Sequence, residues 1–263
     1  MSDSIPVVIL CGGRGTRLSE QTETQPKPMV EIGGRPILWH IMKHYSHYGY
    51  EEFILALGYK GEQIKRYFFE FNSSSKDSII RYSQLSSGDR DLFQMTSDTE
   101  NWQVHLVDTG EDSLTGTRLK HLESLIGDRA FMMTYGDGVG TVDISKLLAF
   151  HRMHRGLVTL TAVHPPARFG ALEFEGDRVS YFKEKSTLHE GWINGGFFVI
   201  ESKALQYIEG DVLWEHAPLE RLVEEKQLYA YKHEGFWQCM DTLRDLRYLE
   251  SLWNSENPPW KVW

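Results

Sequence analysis

Four apolar residues, Val7-Val8-Ile9-Leu10, run without a break into Cys11-Gly12-Gly13-Arg14-Gly15-Thr16-Arg17-Leu18. An apolar run that ends in glycines is the pattern of a strand buried on both faces of a parallel sheet, so this opening commits the chain to an α/β fold. The glycines at 12, 13 and 15 let backbone N–H groups approach a ligand with no side chain in the way, and successive N–H groups form an anion nest. The turn lacks the Gly-Lys-Ser/Thr of a Walker A loop, and Leu18 stands where a dinucleotide fingerprint has its third glycine. Two features set it apart: Arg17 inside the loop, and Pro26-Lys27-Pro28-Met29 shortly after it. Prolines on either side stiffen the backbone and hold Lys27 as a fixed cation. The plainer alternative is a tight turn and a solvated lysine.

The pattern continues as alternating strands and helices. Pro36 suits the first turn of a helix whose apolar face is Ile37, Ile41, Tyr45 and Tyr48, with Gly49 as its cap. Phe53–Leu57 reads as a second buried strand, and Gly61–Phe71 as a second helix. Residues 72–101 break the rhythm with a serine-rich stretch, expected to be an inserted arm, part hairpin or lid. Trp102–Val107 alternates like a strand, Arg118–Ile126 suits a helix, and Ala130–Tyr135 is a buried strand running into Gly136-Asp137-Gly138. Leu157–Val163 and Asn194–Ile200 are further strands, and Gly176-Asp177 marks the tip of a hairpin between Ala171–Phe174 and Val179–Phe182. Asp241-Thr242 is placed to cap a last helix striped by Leu243, Leu246, Leu249 and Leu252. The tail Pro258–Trp263 is too apolar for water and should pack on the body or on a neighbour. The expected architecture is α/β, with a mainly parallel central sheet flanked by helices and a small accessory β-hairpin region. We expect one domain over 1–263, with a nucleotide-binding half at about 1–150, the arm at about 72–101, and a sugar-phosphate half at about 151–263.

Composition narrows the partners. The 263 residues carry 28 Lys+Arg against 37 Asp+Glu, a net charge of −9, which argues against nucleic acid or an anionic membrane surface as a partner. With 41% hydrophobic residues the chain can bury a core. Two cysteines, Cys11 and Cys239, make no disulfide framework, and both read as packing residues. No apolar run approaches the ~18–20 residues of a membrane span, and the opening MSDSIPVVIL lacks a basic n-region, so a soluble cytoplasmic protein is expected. His40, His44 and His47 share one helix face at a spacing that can bind zinc, but Ile41 stands where an H-E-x-x-H hydrolase has glutamate. They read as surface histidines, and so do His151 and His154.

The segments G-G-x-G-T-R-L and P-K-P-M together resemble the sugar-nucleotidyltransferases, and Tyr135–Gly138, Phe169–Leu172, Phe182–Lys185, Ile193–Phe198 and Gly235–Thr242 follow in that family's order. Glu31–Gly34, Ile37–Met42 and Val107–Gly110 are similar to the branch of the family that uses CTP and glucose 1-phosphate. The resemblance implies a Rossmann-like nucleotidyltransferase fold, a Mg²⁺-assisted in-line attack of the sugar phosphate on the nucleotide α-phosphate, release of pyrophosphate, and a homo-oligomer up to a hexamer. The phosphate nucleophile, with a second pKa of about 6, needs no general base. What the reaction needs is positioning and charge neutralisation.

The resemblance also implies roles. Arg17 and Lys27 would be catalytic. Leu10, Cys11, Gly12, Gly13, Arg14, Gly15, Thr16, Ser113, Arg118 and Gly136 would join them around the nucleotide. Gly170, Glu184, Lys185 and Asn194 would hold the sugar phosphate, and Asp137 and Asp241 the metal. From the residues alone, Asp137 is equally a turn-former and Asp241 a helix N-cap. Two positions depart from the pattern: Thr117 replaces the second glycine of a Thr-Gly-Gly-Arg run, and Ser186 a proline. The alternatives are a uridylyl- or thymidylyltransferase and a catalytically silent regulatory homologue. A metal-dependent glycosyltransferase is disfavoured because the glycine loop with its Pro-Lys-Pro has no role in that chemistry.

Overall fold

Strand β1 (Val7–Leu10) lies at the centre of the main sheet, with β4 (Glu52–Leu57) on one side and β8 (Phe131–Tyr135) on the other, parallel to both. The structure is a computed structural model, and it describes residues 5–15, 18, 22, 24–73, 79–84, 90–96, 100–165, 171–183 and 191–263. After β1 the chain forms β2 (Glu31–Ile32), β3 (Arg35–Pro36), α1 (Ile37–His47), β4 (Glu52–Leu57) and α2 (Gly61–Ser73). Next come β5 (Ile79–Gln84), β6 (Arg90–Thr96), β7 (Asn101–Asp108), α3 (Thr115–His121), α4 (Glu123–Ile126), β8 (Phe131–Tyr135) and β9 (Gly138–Gly140). The second half adds α5 (Ile144–His154), β10 (Val158–Val163), β11 (Ala171–Glu175), β12 (Arg178–Lys183) and β13 (Ile193–Ile200). It ends with α6 (Ala217–Glu224), β14 (Leu228–His233), β15 (Trp237–Cys239) and α7 (Leu243–Trp253).

The main sheet has the order β14-β10-β13-β8-β1-β4-β7-β6-β5. From β14 to β7 every strand runs the same way except β13, which is antiparallel to both β10 and β8. The expected α/β class with a mainly parallel sheet therefore holds. Alternation along β1 explains why the run is apolar throughout. Val7 and Ile9 join a core with α1, α2 and the C-terminal segment, while Val8 and Leu10 join a second core with α3, α4 and α6. β5 and β6, within the expected arm, form a hairpin that extends the sheet edge beyond β7. β11 and β12 form the accessory hairpin, with Gly176-Asp177 at its turn as expected.

Three local expectations change. The helix expected from Arg118 begins at Thr115 and is broken at Leu122 into α3 and α4. The histidines of α1 are not all surface groups: His40 and His44 are buried, bonded through Nε2 to Ile32 O at 2.9 Å and to Val142 O at 2.8 Å. His151 is likewise buried, with Nδ1 against Thr159 Oγ1 at 2.8 Å. These oxygens explain the change, because each gives a polar ring a partner inside an otherwise apolar core. The tail packs on the body: Trp260 is 1% exposed, stacks with Phe236 and Trp253, and meets His40 edge-on. Among the described residues no helix is long and apolar enough to cross a membrane.

Candidate active site

The C-terminal ends of β1 and β8 open on one cavity of about 550 Å³. This is the sheet edge where α/β proteins present ligands. Leu10, Cys11, Gly12, Gly13 and Gly15 line it, together with Ser113 and Arg118. Gly136, Asp137, Lys27, Asp241 and Asn194 line it as well. Twelve of the residues singled out in the sequence thus meet in one space. Arg14 stands outside it, exposed, donating to Asp112 Oδ1 at 2.7 Å and lying over the Tyr59 ring. Thr16, Arg17, Gly170, Glu184 and Lys185 lie outside the described residues.

Lys27 is delivered by its prolines. Lys27–Met29 is a single 3-10 turn closed by Met29 N–H on Pro26 O at 2.8 Å, with Pro28 buried. The Lys27 ammonium donates to Asp137 Oδ2 at 2.7 Å and to Asp241 Oδ1 at 2.6 Å, and its side chain is 11% exposed. Burial pulls this ammonium down, but the two carboxylates outweigh it and hold its pKa above the ordinary lysine value. The carboxylates meet because β9 and β15 pair antiparallel, Gly138 opposite Cys239, which sets Asp137 beside the strand that leads to Asp241. Met240 N–H donates to Asp137 O at 2.8 Å and closes that junction. Asp241 is not the cap of α7. Thr242 is, with Asp245 completing a capping box and also accepting from Asp241 N–H at 3.2 Å.

The donor set fits a hard divalent cation. Two carboxylates converge on one positive charge, both partly exposed at the cavity, with Asp137 Oδ1 unpartnered among the described residues.

Arg118 has a different character from an anion grip. Its guanidinium is buried and donates to Leu57 O, Gly110 O, Glu111 O and Gly12 O at 2.7–3.1 Å, and to Thr109 Oγ1 at 2.9 Å. A Cβ on Gly12 would sit 2.2 Å from Arg118 Cζ, so this glycine is required by the arginine beneath it. Arg118 therefore ties the glycine turn to the 109–111 loop. Thr117 points away from the cavity: its hydroxyl donates to Asp211 Oδ1 at 2.6 Å. Its extra Cβ leaves the cavity free and adds a tether to the 210–212 loop.

The buried Cys11 thiol is raised far above the ordinary range by desolvation, as befits a packing residue. Cys239 lines the cavity and is pushed up to about 12 by burial, then by Asp241 and Asp137, so it stays a thiol. Thr115, Tyr135, Leu213 and Trp237 also line the cavity, although no site role was assigned to them individually. Trp237 is fixed in place by Nε1 donating to Gly195 O at 2.8 Å. Tyr135 and Trp237 lie in segments that carried the family resemblance, whereas no pattern in the sequence signals Leu213, which the fold alone brings in.

A family model described as nucleotidyl transferase matches residues 6–254. The chain is 47% identical over 258 residues to a glucose-1-phosphate cytidylyltransferase of Salmonella typhi and equally to one of Salmonella typhimurium, covering 97% of this chain and 98% of each relative. A solved structure of UDP-glucose pyrophosphorylase from Acinetobacter baumannii superposes with a TM-score of 0.68 at 15% identity, covering 98% of this chain and 95% of that one, a likeness of fold. The chain belongs to the nucleotidyl transferase family.

Proposed function

We propose that the chain joins CTP and α-D-glucose 1-phosphate into CDP-glucose and pyrophosphate, working in the cytoplasm as a homo-oligomer. The observation that carries the reaction class is Lys27 fixed between Asp137 and Asp241 at the floor of a cavity walled by the glycine turn. The choice of CTP and glucose 1-phosphate is supported by the relatives that share nearly half of its residues.

A sugar-phosphate oxygen attacks the α-phosphorus of the nucleotide, the bond to the bridging oxygen breaks, and pyrophosphate leaves with the electron pair. The nucleophile arrives ionised, so no residue has to take its proton. The wall of Gly12, Gly13 and Gly15 offers backbone to the triphosphate, while Leu18 of the same turn is buried in the core and leaves that wall clear. Lys27 supplies a fixed positive charge on the floor, where negative charge gathers as the α-phosphorus is attacked. Asp137 and Asp241 would hold Mg²⁺, which when bound neutralises phosphate charge and orients the triphosphate. Asn194 lines the cavity and would bind a sugar hydroxyl, in line with the resemblance of its segment.

Initial rates of pyrophosphate release from each of the four ribonucleoside triphosphates with glucose 1-phosphate test this function. CTP should give the highest kcat/KM, with one CDP-glucose formed per pyrophosphate. An equal or higher value with UTP would transfer the assignment to another nucleotide. Light scattering of the purified chain reads the oligomer.

A further inference from the structure

We propose that Glu215, which lies outside the cavity lining, is a positioning residue that sets the hydrogen-bond polarity of Asn194 toward the sugar substrate; this rests on the role of Asn194 given above. Glu215 sits on the loop before α6, half-buried, with its two carboxylate oxygens turned to different elements. Oε1 accepts from the hydroxyl of Tyr135, the last residue of β8. Oε2 accepts from Thr115 Oγ1 at 2.6 Å, at the first residue of α3, and that hydroxyl in turn accepts from Trp214 N–H at 2.9 Å.

The polarity follows from the chemistry of each group. Both Glu215 oxygens act as acceptors, so the Tyr135 proton points at Glu215. The Tyr135 oxygen is then left to accept, and it does so from Asn194 Nδ2 at 3.3 Å. Asn194 Oδ1 is committed as well, accepting from Gly196 N–H at 2.9 Å. The amide is therefore fixed, with its second N–H unpartnered among the described residues and its side chain on the cavity. It is presented as a donor, ready for a sugar hydroxyl oxygen.

The surrounding packing leaves Tyr135 little freedom. Gly196 has φ +78°, and a Cβ there would lie 2.6 Å from Tyr135 Cδ2, so strand β13 closes directly on the ring. Thr115, Tyr135 and Asn194 all line the cavity while Glu215 braces them from behind, which separates holding from touching.

In Glu215→Gln one carboxylate oxygen becomes an NH₂. If that NH₂ faces Tyr135, the tyrosine proton turns toward Asn194 Nδ2, the bond between them is lost, and the amide, held then only by Gly196 N–H, no longer points a fixed donor at the sugar. Kinetics with saturating Mg²⁺ on the full chain test this. Glu215→Gln and Tyr135→Phe should each raise the KM for glucose 1-phosphate about tenfold, with the KM for CTP changed less than about twofold. The double variant should be no worse than the poorer single one, because both changes cut the same chain. A merely structural role would instead lower the thermal midpoint, disturb both KM values, and give additive losses. A Glu215→Gln protein with an unchanged KM for glucose 1-phosphate overturns the assignment. Should that variant fail to fold, an unchanged KM in Tyr135→Phe overturns it equally. A wild-type chain that does not saturate with glucose 1-phosphate overturns the proposed function and this assignment with it. A saturating wild type beside an unaffected Glu215→Gln overturns the assignment alone.

Discussion

Lys27 holds together two carboxylates that would otherwise repel across the cavity floor. Removing it in Lys27→Ala leaves Asp137 and Asp241 facing one another, a loss of about 1–3 kcal/mol for partners left unsatisfied. Turnover should fall by at least about two orders of magnitude, the size of effect seen when a preorganised charge is lost. Thermal melts with and without Mg²⁺ add a second measurement. The variant should gain more in melting temperature from the ion than the wild type does, because the ion restores a positive charge between the carboxylates. Equal shifts in both proteins would show that the two carboxylates are not the metal's ligands. At this scale much was legible. Pro26 and Pro28 announced a fixed lysine, and Cys11 a small buried group. The pairing of Lys27 with both aspartates was not, because nothing in the spacing of positions 27, 137 and 241 reveals a strand ladder. Arg118 was legible as a cavity residue but not as a backbone clamp, since five acceptors from the segments around it become neighbours only in the fold.

Among the elements, α7 bears most directly on the site. Asp245 accepts from Thr242 N–H at 2.9 Å and from Asp241 N–H at 3.2 Å, so one side chain both caps the helix and holds the backbone of Asp241. Asp245→Ala should lower stability by about 1–2 kcal/mol, read as a shift in the urea midpoint. It should also lower turnover under conditions where the chain is fully folded. Loss of stability with unchanged turnover would mean that Asp241 is placed without its help. β1 and α1 were readable from local pattern because each carries its own apolar periodicity. The start of α3 was not. Thr115, Gly116 and Thr117 are poor helix formers, and the turn is held by distant partners at Val212, Asp211 and Glu215. The reversal of β13 had no local sign either, because strand direction is set by the path of the chain between strands.

Across the whole molecule, acidity acts through buried imidazoles. Desolvation lowers His40 and His44 to about 4, although backbone carbonyls partly oppose it. In the unfolded chain both rings take a proton near pH 6.5. Between pH 6.5 and 4 the unfolded state therefore binds more protons than the native one, and stability declines as pH falls through that window. The loss should be on the order of 2 kcal/mol per histidine at pH 5, visible as a lower urea midpoint than at pH 7.5. His40→Gln should flatten part of that slope, and an unchanged slope would locate the pH dependence elsewhere. The −9 net charge, read from composition, argues against a polyanionic partner but is silent about this effect, because it depends on which histidines are buried.

Trp260 seals His40 and the flank of α1 from the far end of the chain, with its indole N–H on His40 Nδ1 at 3.4 Å. During synthesis α1 leaves the ribosome well ahead of Trp260, which packs on its flank and is made more than two hundred residues later. For all that interval the nascent chain carries an uncovered aromatic surface. The sheet around β1 is in the same position, because its neighbour β8 also arrives late. Closure of the α1 flank therefore follows the emergence of Trp260, and apolar surface of this kind is prone to aggregate until it is covered.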